Sequence, residues 1–72
     1  MKREYLIIIE KGKTNLSAYV PDLPGCIATA KTEREILKLM EQGIELHIED
    51  MKHRGYKIPL PTTKAANVEV AA

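Results

Sequence analysis

The stretch LSAYVPDLPGCIATAKTERE, residues 16–35, carries the signals that decide the fold. Leu16, Ala18 and Val20 alternate with Ser17 and Tyr19, the pattern of a strand with one buried face. The strand is expected over 16–21, because Pro21 lacks an N–H and ends pairing on one side. Pro21-Asp22-Leu23-Pro24-Gly25 is dense in turn formers, and Pro24-Gly25 suits the central positions of a type II turn. Cys26 to Ala30 then reads as the next short strand. Thr32 followed by Glu35 forms a capping-box pattern, which predicts a helix start at Thr32.

Working outward, the helix is expected over about 32–54 and roughly 34 Å long. At 100° per residue, Ile36, Met40, Gly43, Ile44, His47 and Met51 fall together, flanked by Leu37 and Ile48 and by Leu39 and Leu46. Gly55 stops the helix, with Lys52, His53 and Arg54 favourable to the dipole in its last turn. Gly43 on the inner face suggests close approach to the sheet. On the N-terminal side, residues 4–10 read as a strand in which Leu6, Ile7, Ile8 and Ile9 make both faces apolar. Such a strand is normally central and covered on both sides. Gly12, able to take positive φ, sits in the polar hairpin loop that follows. Residues 56–63, with Pro59 and Pro61, read as an extended return segment, and Asn67 to Val70 alternate as a last short strand. The fold class is therefore α+β in the order β-β-β-α-β, an antiparallel meander with one long helix on one sheet face. A single domain over residues 1–72 is expected.

Seventy-two residues fall below the usual domain size. Chains this small generally need a disulfide, a metal or another subunit. Cys26 is the only cysteine, so a disulfide within the chain is excluded. Cys26, His47 and His53 lack zinc-site spacing, and neither a metal nor a cofactor is expected. Self-association remains. The helix covers one sheet face, and the other carries either Leu6 and Ile8 or Ile7 and Ile9. A homodimer or higher even oligomer formed through the sheet is expected.

The formal charge of +1 gives no basic footprint for nucleic acid, and three tyrosines without Phe or Trp give no stacking platform. No apolar run reaches the ~18 residues of a membrane span, and no signal peptide is evident. A cytoplasmic protein with one reduced thiol is expected.

Candidate chemistry is sparse. His47 on the apolar helix arc reads as a core or edge histidine, since no nucleophile or orienting carboxylate accompanies it in sequence. His53 suits the helix dipole, and Cys26 reads as a small buried hydrophobe. Glu45 and Glu49 share an outer stripe where a metal pair is conceivable, but a solvated helix face is the commoner meaning. Asp22 suits an Asx-type bond to its own turn. Alternatively, the stiff Pro21–Gly25 loop, with Leu23 at its tip, forms a recognition surface of low docking entropy. Phosphate loops, nucleophile elbows and HExxH motifs are absent from the sequence, and no enzyme is expected.

Tyr19-Val20-Pro21-Asp22-Leu23-Pro24-Gly25-Cys26 resembles the signature turn of the HicB-like antitoxin family. The resemblance extends to the first strand at Tyr5–Glu10, the helix start at Ala30–Glu35, the helix middle at Ile44–Ile48 and the segment Tyr56–Pro61, and so covers about residues 4–70. It implies a partial ribonuclease H-like fold with the first strand central. It also implies neutralisation of a HicA-like toxin, an mRNA-cleaving ribonuclease, by steric occlusion. The expected contact residues are Asp22, Leu23 and Pro24. Larger family members carry a C-terminal DNA-binding domain. The sequence ends at Ala72 without one, so direct operator binding is not expected. A ribonuclease H-type site needs several converging carboxylates, and Glu10 and Glu69 do not make such a set. The alternatives are an oligomeric HicB-like domain without a toxin, or a small hydrolase or ligand-binding protein using His47 with Glu10 or Asp50.

Overall fold

The computed structural model describes residues 3–72. Three antiparallel strands precede one long helix: β1 (Ile8–Lys11), β2 (Leu16–Tyr19), β3 (Ile27–Ala30) and α1 (Glu33–His53). The sheet order is β1-β2-β3, a meander whose register pairs Ile9 with Ala18 and Ala18 with Ala28. The alternation read from residues 16–20 holds: Ala18 and Val20 are buried and Leu16 half-buried, while Ser17 and Tyr19 face out. The first hairpin closes through Gly12 N–H to the Asn15 carbonyl, 2.8 Å. Gly12 does not take positive φ. A side chain there would bring Cβ to 3.1 Å from the Asn15 carbonyl oxygen, so glycine serves this close approach.

The turn after β2 is double. Leu23 N–H donates to the Val20 carbonyl and Cys26 N–H to the Leu23 carbonyl, both at 3.1 Å. Gly25 has φ +87°, as a type II turn with Pro24-Gly25 at its centre requires. Val20 N–H closes the loop on the Cys26 carbonyl at 3.2 Å. That bond turns Val20 into the loop, and Pro21 has no N–H to offer. The ladder from β2 to β1 therefore stops at the Ile8–Tyr19 pair. Residues 4–7 continue beyond it without a strand partner among the described residues.

Thr32 caps α1. Its hydroxyl oxygen accepts from Glu35 N–H at 3.1 Å and its hydroxyl donates to the Glu35 carboxylate at 3.0 Å. The helix ends in a Schellman motif: Tyr56 N–H reaches the Met51 carbonyl, Gly55 N–H the Lys52 carbonyl, and Gly55 has φ +73°. Ile36 and Met40 are buried against Ala18, Val20, Leu23 and Cys26 to make the core. Tyr5, Ile7 and Ile9 pack against it from the first strand, which assigns Leu6 and Ile8 to the opposite face. Gly43 does not mark a forced approach. A Cβ there would sit 4.0 Å from Cys26 Sγ, at ordinary van der Waals distance.

Two expectations about the strands are also corrected. β1 is an edge strand, not the central one. Residues 67–70 form no strand, and Val68 and Val70 are 82% and 76% exposed. Both corrections have one cause. No strand pairs with β1 on its outer side among the described residues, and an isolated four-residue strand is not stable alone. The post-helix segment instead crosses to the β2–β3 turn, held by the Tyr5 hydroxyl donating to the Pro59 carbonyl.

Candidate functional site

The β2–β3 turn holds the three residues expected to meet a partner. Asp22 does not form an Asx bond to its own turn. Its carboxylate accepts from the Thr63 hydroxyl at 2.9 Å, Thr63 N–H at 3.1 Å and the Thr62 hydroxyl at 3.2 Å. Desolvation pushes this carboxyl upward, but the Thr63 and Thr62 hydrogen bonds outweigh it and leave its pKa below the ordinary value. Leu23 is not at an exposed tip. It is fully buried in the core, where it anchors the loop. Pro24 and Gly25 are exposed. The turn is thus a rigid knuckle with Pro24 outward, Leu23 inward and Asp22 fastening the chain after the helix.

The helix presents the second surface. Leu39 is 44% exposed and Leu46 72% exposed, on one stripe with Gln42 and Glu49. A shallow depression beside them is lined by Gln42, Glu45, Leu46, Ile48 and Glu49. Six carboxylates stand against three Lys and Arg residues on α1, so with neutral histidines the helix carries −3. The whole chain carries +1. This surface was not singled out in the sequence, although the signal is present. At 100° per residue Leu46 lies about 120° from Met40, at the margin of the buried arc.

The outward face of the sheet carries a third surface. The register lines up Ile8, Tyr19 and Ile27 across all three strands, with Ile27 74% exposed. Fourth, a groove of about 720 Å³ opens between the first strand and α1, with Tyr5, Ile7, Leu37, Met40, Ile44 and Ile48 in its walls.

The titratable groups do not converge into a cluster with one another. His47 is half-buried, and among the described residues no carboxylate hydrogen-bonds to it. Glu45 and Glu49 are exposed. Asp50 is engaged with Arg54 in an exposed ion pair at 3.0 Å, which raises the arginine's pKa through that hydrogen bond and charge. Cys26 is buried beneath α1, and desolvation raises its thiol pKa, which disfavours the thiolate. Among the described residues no polar or charged side chain is buried, and no group of three or more His, Cys, Asp or Glu is placed to hold a metal. No helix among them is long and apolar enough to cross a membrane. What the arrangement leaves exposed is apolar and acidic surface.

Residues 5–71 match the family model described as HicB-like antitoxin of bacterial toxin-antitoxin system. A UPF0150 protein of Thermoplasma acidophilum is 37% identical over 57 residues, which span 78% of this chain and 83% of that protein. A UPF0150 protein of Helicobacter pylori is 36% identical over 45 residues, 62% of each chain. No solved structure matches. The signature turn at 19–26, the meander, the capped helix and a match over nearly the whole chain agree, and the chain belongs to the HicB-like antitoxin family.

Proposed function

We propose that this chain is a non-enzymatic antitoxin of the cytoplasm that binds a HicA-like mRNA-cleaving toxin and blocks it by steric occlusion. The observation that carries the reading is the family match over residues 5–71. Charge supports it. A ribonuclease must hold phosphate backbone with a basic surface. The −3 helix, with Leu39 and Leu46 exposed among its carboxylates, is the complementary kind of surface. The apolar residues would supply affinity and the carboxylates orientation and rate. The loop at Asp22, Leu23 and Pro24 is the second contact: Pro24 meets the toxin, Leu23 keeps the loop rigid, and Asp22 holds its base. Residues 1–72 act as one domain. The chain associates through its sheet as a homodimer or higher even oligomer.

Co-expression with a HicA-like toxin of the same host tests the proposal. The expected result is a stable co-purifying complex and restored growth. Leu46→Lys combined with Glu45→Lys is expected to weaken the complex by about 100-fold or more, since it removes an apolar contact and reverses a charge. Full rescue of growth without a complex would refute occlusion, and full rescue by the double variant would move the contact off the helix.

A further inference from the structure

We infer that residues 67–70 of one chain add as a strand to the outer edge of β1 in a second copy, the two copies exchanging tails about a two-fold axis. The inference stands apart from the toxin reading and uses different residues.

The tail is built as a strand but lacks a sheet. Val68 and Val70 alternate with Asn67 and Glu69, and both valines are almost wholly exposed at 82% and 76%. The clasp of Thr62 and Thr63 on Asp22 carries the chain to the β2–β3 turn, and everything from residue 64 onward is exposed. The first strand has the opposite deficiency. It is an edge strand whose Leu6–Ile9 run is apolar on both faces, which invites pairing with another chain. Residues 4–7 make no backbone hydrogen bond in turns or loops among the described residues. Tyr5, Leu6 and Ile7 are half-buried, a setting in which free backbone N–H and C=O groups call for partners.

The groove decides which edge and which face. The helix packs over β2 and β3 and leaves the space beside the first strand open. That space is the groove with Tyr5 and Ile7 on one wall and Leu37, Ile44 and Ile48 on the other. A strand laid beside β1 would send every second side chain into it. Val68 and Val70 have that spacing, leaving Asn67 and Glu69 on the opposite face.

The surface area calls for a second copy. The chain exposes 6348 Å². A compact monomer of this mass would expose about 4,500 Å². The radius of gyration is 14.0 Å, against about 11 Å for a compact chain of this length. The excess of roughly 1,800 Å² is more than the ~800 Å² that each partner gives to a standard interface. Reciprocal exchange about a two-fold axis satisfies both tails and both edges with two chains, whereas one-way donation would run on as an open chain of copies.

Sedimentation velocity on the full chain, from micromolar to 200 micromolar as rough limits, tests the exchange. Wild type is expected to be a dimer. Val68→Lys with Val70→Lys is expected to weaken dimerisation by about 100-fold or more, with the helical circular-dichroism signal unchanged because both side chains lie outside the chain's own core. Ile27→Lys, on the outward sheet face, is expected to leave that dimer intact. Amide exchange should show residues 67–70 protected in the wild-type dimer. A wild-type chain that is monomeric throughout, or a tail variant as dimeric as wild type, would overturn the inference.

Discussion

Asp22 changes meaning between sequence and structure. Flanked by Pro21 and Leu23, it suggested a turn-local bond; its partners are Thr62 and Thr63, about forty positions away. Nothing local to either segment encodes that pairing. The carboxylate's pKa is held below its ordinary value, because the threonine donors favour the charged form over the opposing desolvation. The linkage therefore has a definite sign. The clasp contributes fully above the ordinary carboxylate pKa of about 3.9 and is lost as pH falls through the lower folded value. By NMR, the Thr63 amide should titrate with a midpoint below that ordinary value, and Asp22→Asn should abolish the titration. A midpoint above it would show that the clasp does not hold the ionised form. Leu23 illustrates the converse limit. Its place among turn residues suggested exposure, but the double turn folds it inward to 0% exposure.

At the level of elements, α1 was the most legible. The Thr32–Glu35 box and the Gly55 stop placed its ends within one residue of those observed. The meander was legible for the same reason, since Pro24-Gly25 can occupy few turn types. The position of the first strand was not. A four-residue apolar run signals cover on both faces, but it does not say that the cover comes from the same chain. The missing fourth strand follows: Asn67–Val70 has the pattern of a strand and, among the described residues, no strand partner. Gly43 separates propensity from packing on the helix. Room for a Cβ exists opposite Cys26 Sγ, and glycine disfavours helix by about 0.5–1 kcal/mol relative to alanine. Gly43→Ala should therefore raise stability by about that amount in chemical denaturation. A loss of stability would show that the core cannot accommodate even a methyl group there.

As a whole, the molecule is a small core with large unsatisfied surfaces. Among the described residues, six buried apolar side chains hold the helix to the sheet. An acidic helix face, an outward row of Ile8, Tyr19 and Ile27, and an open groove remain. The Pro24-Gly25 turn was legible because its motif is local. The acidic surface was not, because the near-neutral charge of the whole chain conceals a −3 helix against +4 elsewhere. Such a molecule is suited to binding. The most direct test is titration of the purified chain into RNA cleavage by a HicA-like toxin of its host. The account predicts that cleavage falls linearly and ends near one chain per toxin, with the chain itself leaving the RNA intact. Undiminished cleavage at a large excess of folded chain, with no complex on sedimentation, would contradict it.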